Sequence, residues 1–330
     1  MKLGSLTLKN NLILAPMLNV TTGPYRRFCR KFFDIGLVCV PMLYPKAIAK
    51  STKSIELELH KIEEERPISV QLIGSDIDAL KKSIEILESY NFDVIDINAG
   101  CPSKRAIKSE QGGYLLKDLE KLKEILYVSV KYSSKPVSLK TRIGYDQKLD
   151  VNEFIKVIND SGIDFLTIHA RTVKSRLNNN ALDLEFVKKL KESISIPLVG
   201  NGDIYNPKFA KYYLDYTNVD ALMIGRGSIG NPEIFSQIHE YLTKNREIAF
   251  ENNVNLLKER FEFYKEIVDS FLNGINLNYS INEYKFAELK RNSIWLTKNI
   301  DKSTEMRRKI SEAKNLEQLN SLLDNNIRIF

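Results

Sequence analysis

Cysteine is scarce in this chain. Three occur in 330 residues, Cys29, Cys39 and Cys101, at spacings that suit neither a disulfide framework nor a metal site. A reducing cytoplasm is the expected setting, with no metal centre. No apolar run approaches the roughly 18–20 residues that a membrane-spanning helix needs. The opening residues, Met1-Lys2-Leu3-Gly4-Ser5, carry no h-region or cleavage site of a secretory signal. There is no low-complexity tail and no repeat beyond an alternation of strand and helix. The turn after the first strand-like run, Pro16-Met17-Leu18-Asn19, lacks the glycines that a doubly wound nucleotide-binding sheet places there.

What is present is a hydrophobic fraction of 43% with mean hydropathy −0.26, as in a soluble globular protein. The length exceeds that at which single cores stop growing, so a large domain with a smaller one is expected. Runs rich in Val, Ile and Leu recur at Leu12–Ala15, Leu37–Val40, Ile68–Leu72, Val94–Asn98, Val137–Thr141, Phe165–His169, Pro197–Gly200 and Ala221–Gly225. Between them, segments such as Ile77–Tyr90 and Leu119–Tyr132 space their apolar residues three and four apart. This alternation predicts an α/β fold, a (β/α)8 TIM barrel. From about residue 245 strand-like runs stop. Leu256–Leu272, Glu283–Asn299, Thr304–Ala313 and Leu316–Leu323 read as consecutive helices, joined by Asn-rich links that include Asn273-Gly274-Ile275-Asn276. The expected organisation is a barrel over residues 1–243 and a small all-helical domain over 244–330.

Net charge is +7, and the positive charge is concentrated. Residues 285–309 hold Lys285, Lys290, Arg291, Lys298, Lys302, Arg307, Arg308 and Lys309 against only Glu288, Asp301 and Glu305. Such a stretch is either a binding face for a polyanion or an ordinary solvated helix surface.

All but one of the predicted strands end in polar or turn-forming residues: Pro16 and Met17, Gln71, Asn98 to Cys101, Lys140 and Arg142, His169 and Arg171, Asn201 to Asp203, then Gly225 and Arg226. Barrel enzymes gather their chemistry at that face. The turns Gly200-Asn201-Gly202-Asp203-Ile204 and Gly225-Arg226-Gly227 follow the last two strands, where glycine lets backbone N–H groups approach a phosphate. Lys140, in an otherwise buried strand, is either one half of a salt bridge or a cation set against an electron-rich cofactor. His169 is a core histidine or a cofactor contact. Gln71 anchors a loop or bonds the edge of a heterocycle. Cys101, in Asn98-Ala99-Gly100-Cys101-Pro102-Ser103, is a small hydrophobe or a proton donor, since a thiol of ordinary pKa near ~8.5 is protonated at neutral pH.

Together these residues resemble the tRNA-dihydrouridine synthases. The resemblance is carried by Ala15-Pro16-Met17, the Asn98–Ser103 turn with Lys104 and Gln111-Gly112-Gly113 beyond it, Lys140-Thr141-Arg142, His169-Ala170-Arg171-Thr172, Asn201-Gly202-Asp203-Ile204, Gly225-Arg226-Gly227 and Asn231-Pro232. It implies FMN over the barrel mouth, with its phosphate held around Asn201, Gly202, Asp203, Gly225 and Arg226. Pro16 and Met17 would back the ring, Gln71 its pyrimidine edge and Lys140 its N1/O2 side, with His169 completing the site. NADPH or NADH would reduce the flavin. A tRNA uridine would then accept hydride at C6 and a proton from Cys101 at C5. Asn98, Lys104, Arg105 and Arg171 would contact the substrate, and the basic stretch would grip tRNA. No stable protein partner and no membrane are implied. Two positions depart from the family pattern: Ala170 stands where glycine is usual, and Val40-Pro41-Met42 closes the second strand without the usual hydroxyl and glutamate. The nearest alternatives are a flavin barrel acting on a free pyrimidine and an RNA-binding protein with an inactive barrel.

Overall fold

The strand-like runs close into one parallel barrel. The structure, a computed structural model, describes residues 1–175, 182–275, 280–301 and 303–325. A two-stranded antiparallel hairpin comes first, β1 (Lys2–Leu3) and β2 (Leu6–Thr7). The barrel follows in sequence order: β3 (Leu12–Leu14), β4 (Leu37–Cys39), β5 (Ile68–Leu72), β6 (Val94–Ala99), β7 (Val137–Arg142), β8 (Phe165–His169), β9 (Leu198–Asn201) and β10 (Ala221–Ile224). β10 pairs with β3 to shut it. The expected TIM barrel is thus present, with strand ends within a residue of those predicted.

Helices fill the crossovers: α1 (Gly23–Phe32), α2 (Pro45–Lys50), α3 (Glu56–Leu59), α4 (Ile77–Leu87), α5 (Lys104–Lys108), α6 (Leu119–Tyr132), α7 (Val151–Ser161), α8 (Leu184–Ser193), α9 (Pro207–Thr217) and α10 (Ile234–Lys244). Their starts are written in the sequence. Asp76, Ser103, Asp118, Asp150, Asp183 and Asn206 each accept a backbone N–H of the first turn, satisfying a donor the helix cannot. The hairpin and the short helices α2, α3 and α5 were not foreseen, because two residues per strand or one helical turn carry too little periodicity to read.

Each strand buries both faces. Residues such as Leu12, Leu14, Val38, Val70, Ile95, Ile97, Leu139, Leu166 and Ile168 pack against the helices. The alternate residues point inward, and this inner face changes character along the strands. Near the strand starts Leu37, Val94, Phe165, Val199 and Ala221 form an apolar plug with Leu3 and Leu8 from the hairpin region. Toward the strand ends the in-register neighbours are Gln71 with Asp96, Asp96 with Ser138, Asn98 with Lys140, and His169 with Asn201. The barrel is therefore oily at one end and polar at the other.

Past α10 come α11 (Val254–Leu272), α12 (Ile281–Leu296), α13 (Ser303–Glu312) and α14 (Leu316–Asn325), close to the helices predicted. They dock on α1 through aromatic edges, with Phe28 and Tyr264 centroids 5.1 Å apart and Tyr25 and Trp295 5.8 Å apart. Buried Glu288 accepts hydrogen bonds from Thr22 (2.7 Å) and Tyr264, and pairs with Arg291. Gly23 sits in the same contact: a Cβ there would lie 2.0 Å from the Phe271 ring. Alanine normally favours a helix by about 1 kcal/mol over glycine. Here Gly23→Ala is expected to destabilise by about 1–3 kcal/mol through overpacking, read as a lower denaturant midpoint; an unchanged or higher midpoint would contradict this packing.

Candidate active site

The polar end of the barrel surrounds a cavity of about 190 Å³ walled by Met17, Lys140, His169, Asn201, Gly225 and Arg226. A larger hollow of about 480 Å³ lies between α1 and α11, but its lining mixes paired acidic and basic side chains with apolar ones and holds no cysteine, histidine or glycine turn. Lys140, His169 and the glycine turns after β9 and β10 converge on the smaller one.

Three clusters build this mouth. The first is a chain of hydrogen bonds across β5, β6 and β7. Ser138 Oγ and Gln71 Nε2 both donate to Asp96, at 2.6 Å each. Asn98 Nδ2 donates to Gln71 Oε1 at 2.8 Å, and Asn98 Oδ1 accepts the backbone N–H groups of Gly100 and Cys101 at 3.0 and 2.9 Å. The turn that carries Cys101 is thereby fixed from inside the barrel. The thiol lies 3.4 Å from Ser103 Oγ, and the Cys101 carbonyl accepts the Gly113 N–H at 3.1 Å. Cys29 and Cys39 are buried, whereas Cys101 is partly exposed.

The second cluster is the turn after β9. Gly202 has φ +132° and Asp203 φ +49°, consecutive left-handed positions that bend the backbone sharply. Asp203 is held between Arg171, which is fully buried, and Arg226 at 2.8 Å. Arg226 also lies 5.4 Å from the Tyr205 ring centroid. The third cluster is Lys140, whose Nζ donates to Asn201 Oδ1 at 3.2 Å while Asn201 Nδ2 donates to the Met223 carbonyl at 2.7 Å.

Burial dominates the electrostatics. It pushes Lys140 down to about 8, helped by Arg142, with Asp96 pulling the other way. It pushes Asp96 up to about 6 against the hydrogen bonds of Ser138 and Gln71 and the charge of Lys140. Burial, then Arg142, Lys140, Arg171 and Arg226, hold His169 well below its ordinary value. Its Nδ1 is buried with no hydrogen-bond partner among the described residues. A neutral imidazole with an unspent nitrogen therefore faces a positive pocket.

Pro16, Met17, Lys140, His169, Asn201, Gly202, Asp203, Gly225 and Arg226 all meet at this one cavity. Gln71, Asn98 and Cys101 are not part of its wall; Asn98 is the in-register neighbour of Lys140, bonded to Gln71 and to the Cys101 turn. Lys104 is exposed on α5, and Arg105 packs 4.9 Å from the Tyr44 ring centroid. Arg171 does not reach the surface. Sequence reasoning missed Asp96 and Ser138; the signal available was a charged or hydroxyl residue two positions before Asn98 and Lys140, hence on the same inner face.

The basic stretch is less available than its composition suggests. Lys290 and Lys298 donate to the Ala313 and Ile229 carbonyls, while Lys285 pairs with Asp269 and Arg291 with Glu288. Arg308 and Lys309 make i,i+4 pairs on α13, and Lys302 lies outside the described residues.

A closed parallel barrel with its polar residues gathered at the strand ends defines the class, the (β/α)8-barrel enzymes. Solved structures of histamine dehydrogenase from Rhizobium sp. 4-9 and of an amine oxidase from Pseudomonas geniculata N1 share the fold, with TM-scores of 0.55 and 0.52 at 11% and 13% identity. They match over 73% and 74% of this chain, which spans about half of theirs, 47% and 49%. The sequence is more particular. The family model for dihydrouridine synthase (Dus) matches residues 13–329, and the chain belongs to that family. It is 39% identical over 256 residues to tRNA-dihydrouridine synthase B of Pasteurella multocida, covering 77% of this chain and 76% of that one. Against tRNA-dihydrouridine synthase B of Vibrio vulnificus it is 34% identical over 98% of this chain and 99% of the relative. 

The state of His169 has a measurable consequence. Between its depressed folded value and the ordinary 6.5 of the unfolded chain, the unfolded state binds the extra proton. Stability on this account falls as pH falls below about 6.5, by at most about 1.4 kcal/mol per pH unit. His169→Gln should flatten the pH dependence of the unfolding free energy between pH 7.5 and 5 relative to the parent; parallel profiles would mean that His169 is not held neutral.

Proposed function

We propose that this protein is an FMN-dependent tRNA-dihydrouridine synthase that reduces the C5–C6 double bond of a uridine in tRNA. The observation that carries the proposal is the partly exposed Cys101 thiol, fixed on its turn beside a cavity walled by Lys140 and a buried, unpartnered His169 nitrogen. Family membership supports the same activity.

The residues present fit a flavin mononucleotide. His169 Nδ1 has an unmet hydrogen-bonding capacity, and Lys140 and Arg226 supply positive charge for an anionic group. The left-handed backbone at Gly202 and Asp203 presents a turn suited to phosphate. Arg171 acts there through Asp203, bracing it while Arg226 stays at the rim. Pro16 and Met17 supply an apolar wall, and Gln71 retains one N–H and one lone pair beyond those it spends on Asp96 and Asn98. When bound, FMN would supply hydride-transfer chemistry for C6 of the uracil, with NADPH or NADH as its reductant.

The chain's own groups perform the rest. Lys140 places a preorganised charge where negative charge accumulates, which costs no reorganisation during the reaction. The Cys101 Sγ–H delivers its proton to C5, so one hydride and one proton saturate the double bond, and solvent reprotonates the thiolate. Asn98 keeps one amide N–H for the uracil edge. The target uridine has to leave its stack, at a cost of a few kcal/mol that protein–RNA contacts offset. Lys104, Arg105 and, on α13, the exposed Arg308 and half-buried Arg307 are suited to phosphates. We assign residues 1–243 to the catalytic barrel and 244–330 to a helical tRNA-binding part, working in the cytoplasm.

Cys101→Ala is expected to retain bound yellow flavin while uridine reduction in tRNA falls by roughly 10²–10⁴-fold, measured under single-turnover conditions. Turnover at the parental rate would remove the proton-donor role. Affinity for tRNA should fall steeply as salt rises between 50 and 200 mM, because phosphate contacts release counterions; a flat response in a filter-binding titration would argue for a free pyrimidine as substrate.

A further inference from the structure

We propose that Asp96 is a positioning residue for this reaction, its buried carboxylate setting the orientation of Gln71 and, through Asn98, holding the Cys101 turn in place. The inference rests on Cys101 being the proton donor proposed above.

Asp96 is 4% exposed and is not part of the cavity wall, so it acts through its neighbours. An ionised carboxylate only accepts hydrogen bonds. That fact fixes the direction of every bond beyond it. Gln71 has to turn its NH2 toward Asp96, which leaves Oε1 facing Asn98. Asn98 then has to turn its own NH2 toward Gln71, which leaves Oδ1 for the N–H groups of Gly100 and Cys101. Were Gln71 flipped, its oxygen would oppose the carboxylate, and Asn98 would present NH2 groups to backbone donors. One buried acid thus gives polarity to a relay of three side chains that ends on the backbone of the reactive cysteine. The register supports this assignment, since Gln71, Asp96 and Ser138 are direct cross-strand partners and Asn98 lies two residues on from Asp96.

Lys140 is the group that lets the acid remain there. Within the same inner face it offsets the Asp96 charge, and Ser138 and Gln71 satisfy the oxygens. A buried acid held only for the fold would be replaceable without effect on the thiol. A relay would not be.

The test reads the thiol directly. Cys29 and Cys39 are 0% and 2% exposed, so iodoacetamide applied to the native protein should label Cys101 alone, and peptide mass spectrometry gives its rate. In Asp96→Leu, which removes both acceptor oxygens on the same branched heavy-atom skeleton, Cys101 should label about fivefold faster or more as the turn opens locally. Uridine reduction should drop by about 10²-fold from misplacement of the donor. Asp96→Asn offers an amide oxygen to Gln71 and an NH2 to Ser138, so its labelling rate should return to within about twofold of the parent by the same bond count. Parental labelling in a folded Asp96→Leu protein would overturn the proposal. Should that variant label Cys29 and Cys39 as well, and so be unfolded, Gln71→Met cuts the relay while leaving Asp96 bonded to Ser138. Faster Cys101 labelling there supports the relay, and an unchanged rate overturns it. The labelling needs neither flavin nor tRNA, so its outcome is separate from that of the Cys101→Ala experiment.

Discussion

Inside a closed barrel a polar side chain is cut off from water, and a group on the inner face has to find its partner on the other strands that line it. The site depends on this constraint. Strand register decides which residues can meet, and in-register pairs such as Gln71 with Asp96 and Asn98 with Lys140 place complementary groups side by side. The apolar plug of Val94, Phe165 and Ala221 confines those groups to one end. A polar mouth on a dry barrel floor follows from nothing more than the change in residue type along alternate positions.

The same constraint explains why several polar residues at the strand ends are engaged in holding the structure. Asn98 fixes the turn that presents the thiol, Arg171 braces Asp203, and Arg142 donates to the Gly100 and Thr172 carbonyls. A buried donor left unpaired costs more than a typical hydrogen bond contributes. The exceptions therefore stand out. His169 Nδ1 is such an exception, at the mouth and among positive charges, where an incoming group would complete it. The helical tail obeys the constraint too: Glu288 is tolerated inside the contact with α1 because Thr22, Tyr264 and Arg291 surround it.

Much of the fold and of the site was legible in the sequence. Strands buried on both faces appear as continuous Val, Ile and Leu runs, helices carry their periodicity and their Asp or Asn caps, and a polar residue at the end of such a run marks the mouth. Hence Lys140, His169, Cys101 and the Asn201–Asp203 turn were identifiable one by one. Asp96 was not, because its one local sign is its place two residues before Asn98 on the inner face; its importance comes from Gln71 and Ser138 on other strands. The availability of the basic stretch was not legible either, since composition counts charges but not the carbonyls that Lys290 and Lys298 cap.

The sequence by itself determined the alternation of elements, the end of the barrel at which polar groups collect, and the residue types gathered there, because periodicity and residue type are local properties. Only the tertiary structure decided which of those groups are free and which are committed. Hydrogen-bond direction across strands depends on register, and register depends on closure of the whole barrel. A carboxylate 5 residues before Cys101 in the chain reaches it by way of Gln71 on the neighbouring strand and back through Asn98 on its own, rather than along the backbone, and no linear reading contains that path.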